Sequence, residues 1–416
     1  MPLIFIPLEC DVLARREFTM HLKKKLFWIA ILYFAEGLPF GIIQDTFPVY
    51  FRLHGLSLKD IGLMSLISLP WSLKFLWAPA VDFFGKYKNW VAAAQFMMAA
   101  FLCIMIAVDP SSPGVLLWVC MASLAVLSAT QDIAIDAYSI EILETKEMGA
   151  ANGVRVSAYR VALLVAGGLF VAVGGWLGWS LTFIIAAGIL VLCGIFSMNM
   201  PPVQAERKVK SLAVLWTPLN DFLSRPGVLS VAIFILIYKV GDMAMGPMVK
   251  PFWVDRGLST TEIGLITGTM GVAASITGAL VGGIFTSRFG IFHGLWFLGL
   301  WQGASNLGYA CAATFPNTGH VGVYIASAIE SFCGGLGTAS FLAFLMSVCR
   351  KDLAATQYAL LSALFGMARA VSGTASGWAV TTLGYADYFL LTFFMAAPAY
   401  FFLKPVKRWI PKNSPG

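Results

Sequence analysis

The sequence predicts an all-α integral membrane protein of twelve transmembrane helices in two pseudo-symmetric six-helix bundles. Three observations predict it: a composition no water-soluble domain could carry, twelve apolar runs of bilayer length, and a nonapeptide repeated 202 residues apart that divides those runs into two sixes.

Of 416 residues, 59% are hydrophobic and 12% charged, against about 45–50% and about 25% in soluble proteins. Mean hydropathy is +0.80. The 32 Phe and 13 Trp exclude a disordered chain, and seven Cys without regular spacing exclude a disulfide framework. Cys103, Cys120, Cys193, Cys311, Cys333 and Cys349 fall in apolar runs and read as small buried hydrophobes. The four His are too dispersed for a metal site. A net charge of +7 would suggest nucleic acid as the partner of a soluble protein. Here the basic residues sit in short loops with no interleaved aromatics, so the partners expected are the lipid bilayer and a small solute, not nucleic acid.

A helix needs about 20 apolar residues to cross the hydrocarbon core. In chain order such runs cover 26–51, 58–80, 90–108, 114–140, 151–174, 178–200, 227–253, 260–286, 291–314, 319–348, 354–379 and 384–403. They are too long for tilted barrel strands of about ten residues, and lipid tolerates only helices or closed barrels. Residues 1–25 read as a tail without a signal peptide, with Met20 as an alternative start and 1–19 as a dispensable extension. The bundles then occupy 26–200 and 227–405, joined by a linker over 201–226 and followed by a tail over 406–416. Within the linker, Leu212–Phe222 has the character of an interfacial helix. Nineteen of the 28 Lys and Arg lie in loops on the side of the termini and three (Arg52, Lys59, Arg256) in the opposite loops, which predicts cytoplasmic termini.

The repeat pairs Gly55-Leu-Ser-Leu-Lys-Asp-Ile-Gly-Leu63 with Gly257-Leu-Ser-Thr-Thr-Glu-Ile-Gly-Leu265, six of nine residues identical. Each copy opens an even-numbered span, with Ser57 or Ser259 as N-cap and an acid three residues on. A period of half the chain is a duplication, and two duplicated six-span halves form the architecture of the major facilitator superfamily. Gly264/Gly268, Gly278/Gly282 and Gly373/Gly377 have the spacing of close helix packing, and Gly334-Gly-Leu-Gly337 reads the same way.

Charges inside spans are costly and face a cavity or a partner. Span one carries Glu36 near mid-depth, where Gly37, Pro39 and Gly41 are expected to break the helix, and Asp45 nearer the far end. Span four carries Gln131, Asp132 and Asp136, the two acids four apart and so on one face. Arg155 and Arg160 lie in span five, Lys239 and Asp242 in span seven, Glu330 in span ten and Arg369 in span eleven. Spans one, four, seven and ten thus each hold a carboxylate. Lys239 and Asp242, three apart, are able to pair, and Asp132 or Asp136 can pair with an arginine of span five. Glu36 and Glu330 read as cavity-facing proton carriers, because burial favours the neutral carboxyl. No P-loop, zinc-protease or nucleophile motif is present, which excludes an enzyme.

Three stretches, Glu36-Gly-Leu-Pro39, Leu69-Pro-Trp-Ser-Leu-Lys-Phe-Leu-Trp-Ala-Pro-Ala-Val-Asp82 and Ala129-Thr-Gln-Asp-Ile-Ala-Ile-Asp-Ala-Tyr138, resemble the AmpG-type muropeptide permeases, and the resemblance covers 26–403. It implies that spans one, four, seven and ten line a central cavity. It further implies proton-driven import of anhydro-muropeptides across the bacterial inner membrane by alternating access, with no cofactor and a functional monomer. By the same analogy Gln131, Asp132 and Asp136 contact substrate or gate it, and Arg155 or Arg160 meets a substrate carboxylate. Lys74 braces the cytoplasmic gate, where Asp82 caps or charge-pairs. Related siderophore and acyl-coenzyme A carriers are the alternative substrate classes, and a non-transporting receptor or assembly subunit is the alternative outside transport.

Overall fold

The computed structural model describes residues 21–84, 86–111, 114–144, 147–202, 220–222, 224–349 and 354–410. Among the described residues, nine stretches are long and apolar enough to cross a membrane. The last of them, Leu360–Trp409, is kinked at Gly384 (φ 79°, ψ 167°) and contributes two rods; with the helices over 58–83 and Ile291–Thr314, which are not among the nine, the described residues are consistent with twelve spans. In order these are α1 (Leu22–Leu53), α2 (58–83), α3 (Tyr87–Met105), α4 (Val115–Ile142), α5 (148–177), α6 (Trp179–Met198), α7 (Val228–Asp255), α8 (Thr260–Phe289), α9 (Ile291–Thr314), α10 (Gly319–Ser347), α11 (354–383) and α12 (385–406). Most of Leu212–Phe222 lies outside the described residues; only 220–222 is seen, and it is helical.

The duplicated segments take the same local form. Gly55 (φ 81°) and Gly257 (φ 79°) adopt the left-handed turn each loop needs, and Ser57 and Ser259 then accept the amides of Asp60 and Glu262. At Ser259 the box is complete; at Ser57 the acid returns only to the serine hydroxyl. Pro70 and Pro79 divide α2 into short pieces by removing amide donors, each proline opening a new helical piece.

Span one does not break where its glycines suggested. The α-helix runs unbroken from Leu22 to Gly41 with Pro39 inside it, and the irregularity is a π-turn at Ile42–Thr46. Gly37 and Gly41 serve packing instead: a Cβ at Gly37 would meet Ala162 Cβ at 3.0 Å, and one at Gly41 would meet Ala166 at 2.6 Å. Two more π-turns, Val165–Leu169 in α5 and Ile266–Met270 in α8, lie at the same seam. There Gly167 faces Asp45 and Thr267, and Gly168 faces Gly268 and Gly264.

All three small-xxx-small pairs pack as their spacing implies. Gly264/Gly268 lie on α5, Gly373/Gly377 on Ser65 and Leu58 of α2, and Gly278/Gly282 on Phe332 and Leu336 within the second bundle. The bundles therefore meet along α2–α11, α5–α8 and α1–α7. Both bundles turn large apolar side chains outward, such as Leu192, Val371 and Phe401, as lipid-facing surfaces require. Cys103 and Cys311 are on that outer surface rather than in the core, a correction to their sequence reading; Cys120, Cys193 and Cys333 are buried. Sulfur is compatible with either environment, so hydrophobicity alone does not select the face.

Candidate functional site

The acids of α4 face α1, α2 and α5 together. Asp136 accepts from Arg155 Nη2 at 2.9 Å and from Tyr33 Oη at 2.7 Å, and Arg155 lies 4.4 Å over the Tyr33 ring. Lys74 Nζ stands 3.6 Å from Asp136 and 3.7 Å from Asp132, so the four-residue spacing does place both acids on one face. Lys74 therefore joins the acidic site itself. Glu36 is buried beside this group and, among the described residues, makes no ion pair; its Oε2 is unpartnered, as are Asp132 Oδ1 and Gln131 Oε1. Gln131 ties α4 to α1 by donating to the Ala35 carbonyl at 2.7 Å. The group is not sealed in: the side chains of Lys74, Asp136 and Arg155 are 32%, 32% and 45% exposed. Arg160 is exposed on α5 and is not drawn into the cluster. The side chain of Asp82, the expected gate acid, lies outside the described residues.

The second bundle holds a separate polar group. Lys239 and Asp242 lie within electrostatic reach of each other but, among the described residues, form no direct hydrogen bond or ion pair. Helix α7 is interrupted at Lys239 (φ −110°, ψ 13°), so the i,i+3 geometry of a continuous helix is lost. Lys239 donates instead to Thr338 Oγ1 at 2.6 Å, and Asp242 accepts from the Gln302 amide. Glu330 accepts a 3.4 Å hydrogen bond from Ser331. Arg369 is exposed midway along α11.

At the end of the bundles away from the termini, here the distal end, polar bonds join the halves. Arg52 grips Asp255 through two 2.6 Å bonds, and Tyr385 donates to the same carboxylate at 2.7 Å. Lys250 donates to Asp45 and to the Gln44 carbonyl, and Trp176 donates to Thr261 at 2.8 Å. Asp45, read from sequence as a site residue, is thus part of a cross-bundle pair. A surface groove of about 540 Å³, lined by Ala279, Leu280 and Arg288 among others, lies on α8 and shares no residue with the acidic cluster.

Sequence reasoning missed Tyr33, Thr338, Gln302 and the Asp45–Lys250 and Arg52–Asp255 pairs. Gln302, a polar residue amid the apolar run of α9, was a signal in plain view. The cross-bundle pairs carry no spacing signal, because their partners are more than 200 residues apart.

The signature of the Major Facilitator Superfamily matches residues 29–241. The chain is 35% identical over 384 residues to the anhydromuropeptide permease of Escherichia coli K12, covering 89% of this chain and 77% of that protein. It is 30% identical over 396 residues to the putative transporter AmpG 4 of Rickettsia conorii, covering 91% and 95%. A bacterial homologue of the human lysosomal transporter Spinster, solved inward-facing and unoccupied, shares the fold with a TM-score of 0.73 at 13% identity, over 94% of this chain and 97% of that one. The peptide transporter POT in complex with sulfate gives 0.71 at 12%, over 93% and 96%. The sequence relatives are permeases and transporters, not enzymes. The chain belongs to the major facilitator superfamily, as a multi-pass membrane transporter resembling the AmpG-type muropeptide permeases.

Proposed function

We propose that this transporter imports anhydro-muropeptides across the bacterial inner membrane together with protons, its termini in the cytoplasm and its two bundles rocking about a central site. The observation that carries the proton coupling is a charge imbalance. Three carboxyls (Glu36, Asp132, Asp136) share a site with two cations (Lys74, Arg155), so one carboxyl has no opposite charge. An uncompensated buried charge is expensive, and the group takes up a proton instead. Glu36, buried and without an ion pair, is the carboxyl assigned that proton. When a proton leaves Glu36, the new negative charge competes for Lys74 and Arg155 and loosens their hold on Asp132 and Asp136. Protonation thereby resets the α1–α2–α4–α5 contacts that must rearrange between states.

The substrate class is supported by the 35% identity to a protein named for anhydromuropeptides. The orientation is supported by the loop Lys/Arg bias. In that orientation the distal contacts close the periplasmic side, and the exposed edge of the acidic cluster (Lys74, Asp136, Arg155) faces the cytoplasm.

The test is uptake of labelled anhydro-muropeptide by cells lacking their own permease. Accumulation that collapses with an uncoupler, and is lost in Glu36→Gln or Asp136→Asn, is the expected result. Uncoupler-sensitive accumulation that survives in both variants removes those residues from coupling. Uptake of ferric chelates or acyl-coenzyme A, without muropeptide uptake, replaces the substrate assignment.

A further inference from the structure

Six basic side chains lie inside the spans away from their ends, and four of them are committed to partners. Lys74 and Arg155 hold the α4 acids, Lys250 holds Asp45, and Lys239 donates to Thr338. Arg160 and Arg369 remain; among the described residues neither side chain makes a hydrogen bond or ion pair, Arg369 offering only its backbone carbonyl to Ser372.

Their surroundings differ. On α11, Gly366, Gly373 and Gly377 press against Ser72, Ser65 and Leu58 of α2. Arg369 is about 60° round the helix from that seam at 100° per residue. It is exposed, yet ionisable side chains from both bundles lie within electrostatic reach of it: Asp45 of α1, Tyr159 of α5 and Lys239 of α7. A guanidinium facing lipid would be costly and could not sit among three such helices. It therefore faces the space between the bundles. Asp45, the acid of the other bundle within electrostatic reach, is already held by Lys250. Arg155, one of two arginines the sequence suggested for a substrate carboxylate, is occupied by Asp136 and by the Tyr33 ring.

We propose that Arg369 is the anion-recognition residue of the central site and takes a carboxylate of the permeant solute. This rests on the muropeptide reading above, since muramic acid and its peptides carry carboxylates. A planar fork of donors matches a carboxylate in two-point fashion, which a lysine at this position would not reproduce. Because Arg369 belongs to the second bundle and the acidic cluster to the first, a bound acid bridges the two halves. The bridge gives the solute a means of drawing the bundles together over itself.

The experiment measures calorimetric binding of N-acetylglucosaminyl-anhydro-N-acetylmuramic acid, with its free lactyl carboxylate, and of its methyl ester, to purified protein in lipid nanodiscs. The wild-type protein should prefer the acid by about 10-fold or more, the scale of hydrogen bonds to a charged group. Arg369→Gln should bind acid and ester alike, Arg369→Lys should keep part of the preference, and Arg160→Gln should match wild type. Arg369→Lys decides the matter if Arg369→Gln does not fold. A wild-type protein that binds acid and ester equally overturns carboxylate recognition while leaving muropeptide binding intact. A preference retained in Arg369→Gln, or abolished in Arg160→Gln, overturns the residue assignment. Binding of neither ligand by wild type refutes the muropeptide reading itself, and this assignment with it.

Discussion

Replacing Arg52 by glutamine removes the distal clasp, and the structure sets the size of the effect. The Arg52 guanidinium makes two 2.6 Å bonds to Asp255, with side chains 21% and 27% exposed. A third donor, Tyr385 Oη, holds the same carboxylate at 2.7 Å, and Arg52 Nη1 is steadied by the Leu56 carbonyl at 3.1 Å. An exposed ion pair is worth about 0–1 kcal/mol, and hydrogen bonds to charged groups about 1.5–3 kcal/mol. At this partial exposure about 1–2 kcal/mol is reasonable, which is about 5- to 30-fold in a two-state population. The clasp exists only with the distal end closed, so its loss favours the distal-open state by that factor. Spin labels at Lys59→Cys and Asn317→Cys, both exposed at the distal end on opposite bundles, in a cysteine-free background, report the separation. Pulsed dipolar spectroscopy should show a longer-distance population growing in Arg52→Gln and shrinking again when Arg52→Asp is combined with Asp255→Arg. A distance distribution identical to wild type in Arg52→Gln would show that the clasp does not bias the two states.

Other perturbations separate the remaining parts of the account. Gly377→Val puts a side chain onto the Leu58 backbone, so the same label pair should report a distal end that no longer closes, with uptake reduced by more than 10-fold. Glu36→Gln should retain exchange of labelled for unlabelled solute across a membrane while losing accumulation against a gradient, because a permanently neutral side chain carries no proton. Ser259→Ala deletes a complete capping box and should cost about 1 kcal/mol, seen as a lower melting temperature in detergent. Ser57→Ala, whose box is half formed, should cost less in the same measurement.

The parts of the molecule legible in sequence are those set by short-range spacing. The spans follow from run length, the two caps from a three-residue interval, and the common face of Asp132 and Asp136 from a four-residue one. The glycine pairs locate helix seams for the same reason, since a missing side chain matters wherever two backbones approach. Local spacing failed where a helix is irregular. The turn at Lys239 separates it from Asp242, and the π-turn of α1 falls just after the glycines that seemed to mark a break. It was silent where partners come from different bundles. Lys250 of α7 and Asp45 of α1 find each other only because the folded bundles meet along α1–α7, beside the Gly168–Gly268 contact of α5 with α8. Composition also could not separate lipid-facing Cys103 from buried Cys120, since each occupies an apolar run.

The most direct test is proton movement itself. Proteoliposomes containing the protein and a trapped pH-sensitive dye, at equal pH inside and out, are given external anhydro-muropeptide with no imposed potential. Substrate entry should acidify the lumen in wild type, and Glu36→Gln should show substrate entry without acidification. Muropeptide entry with no pH change in wild type, or acidification undiminished in Glu36→Gln, would contradict the assignment of the coupling proton to the acidic cluster.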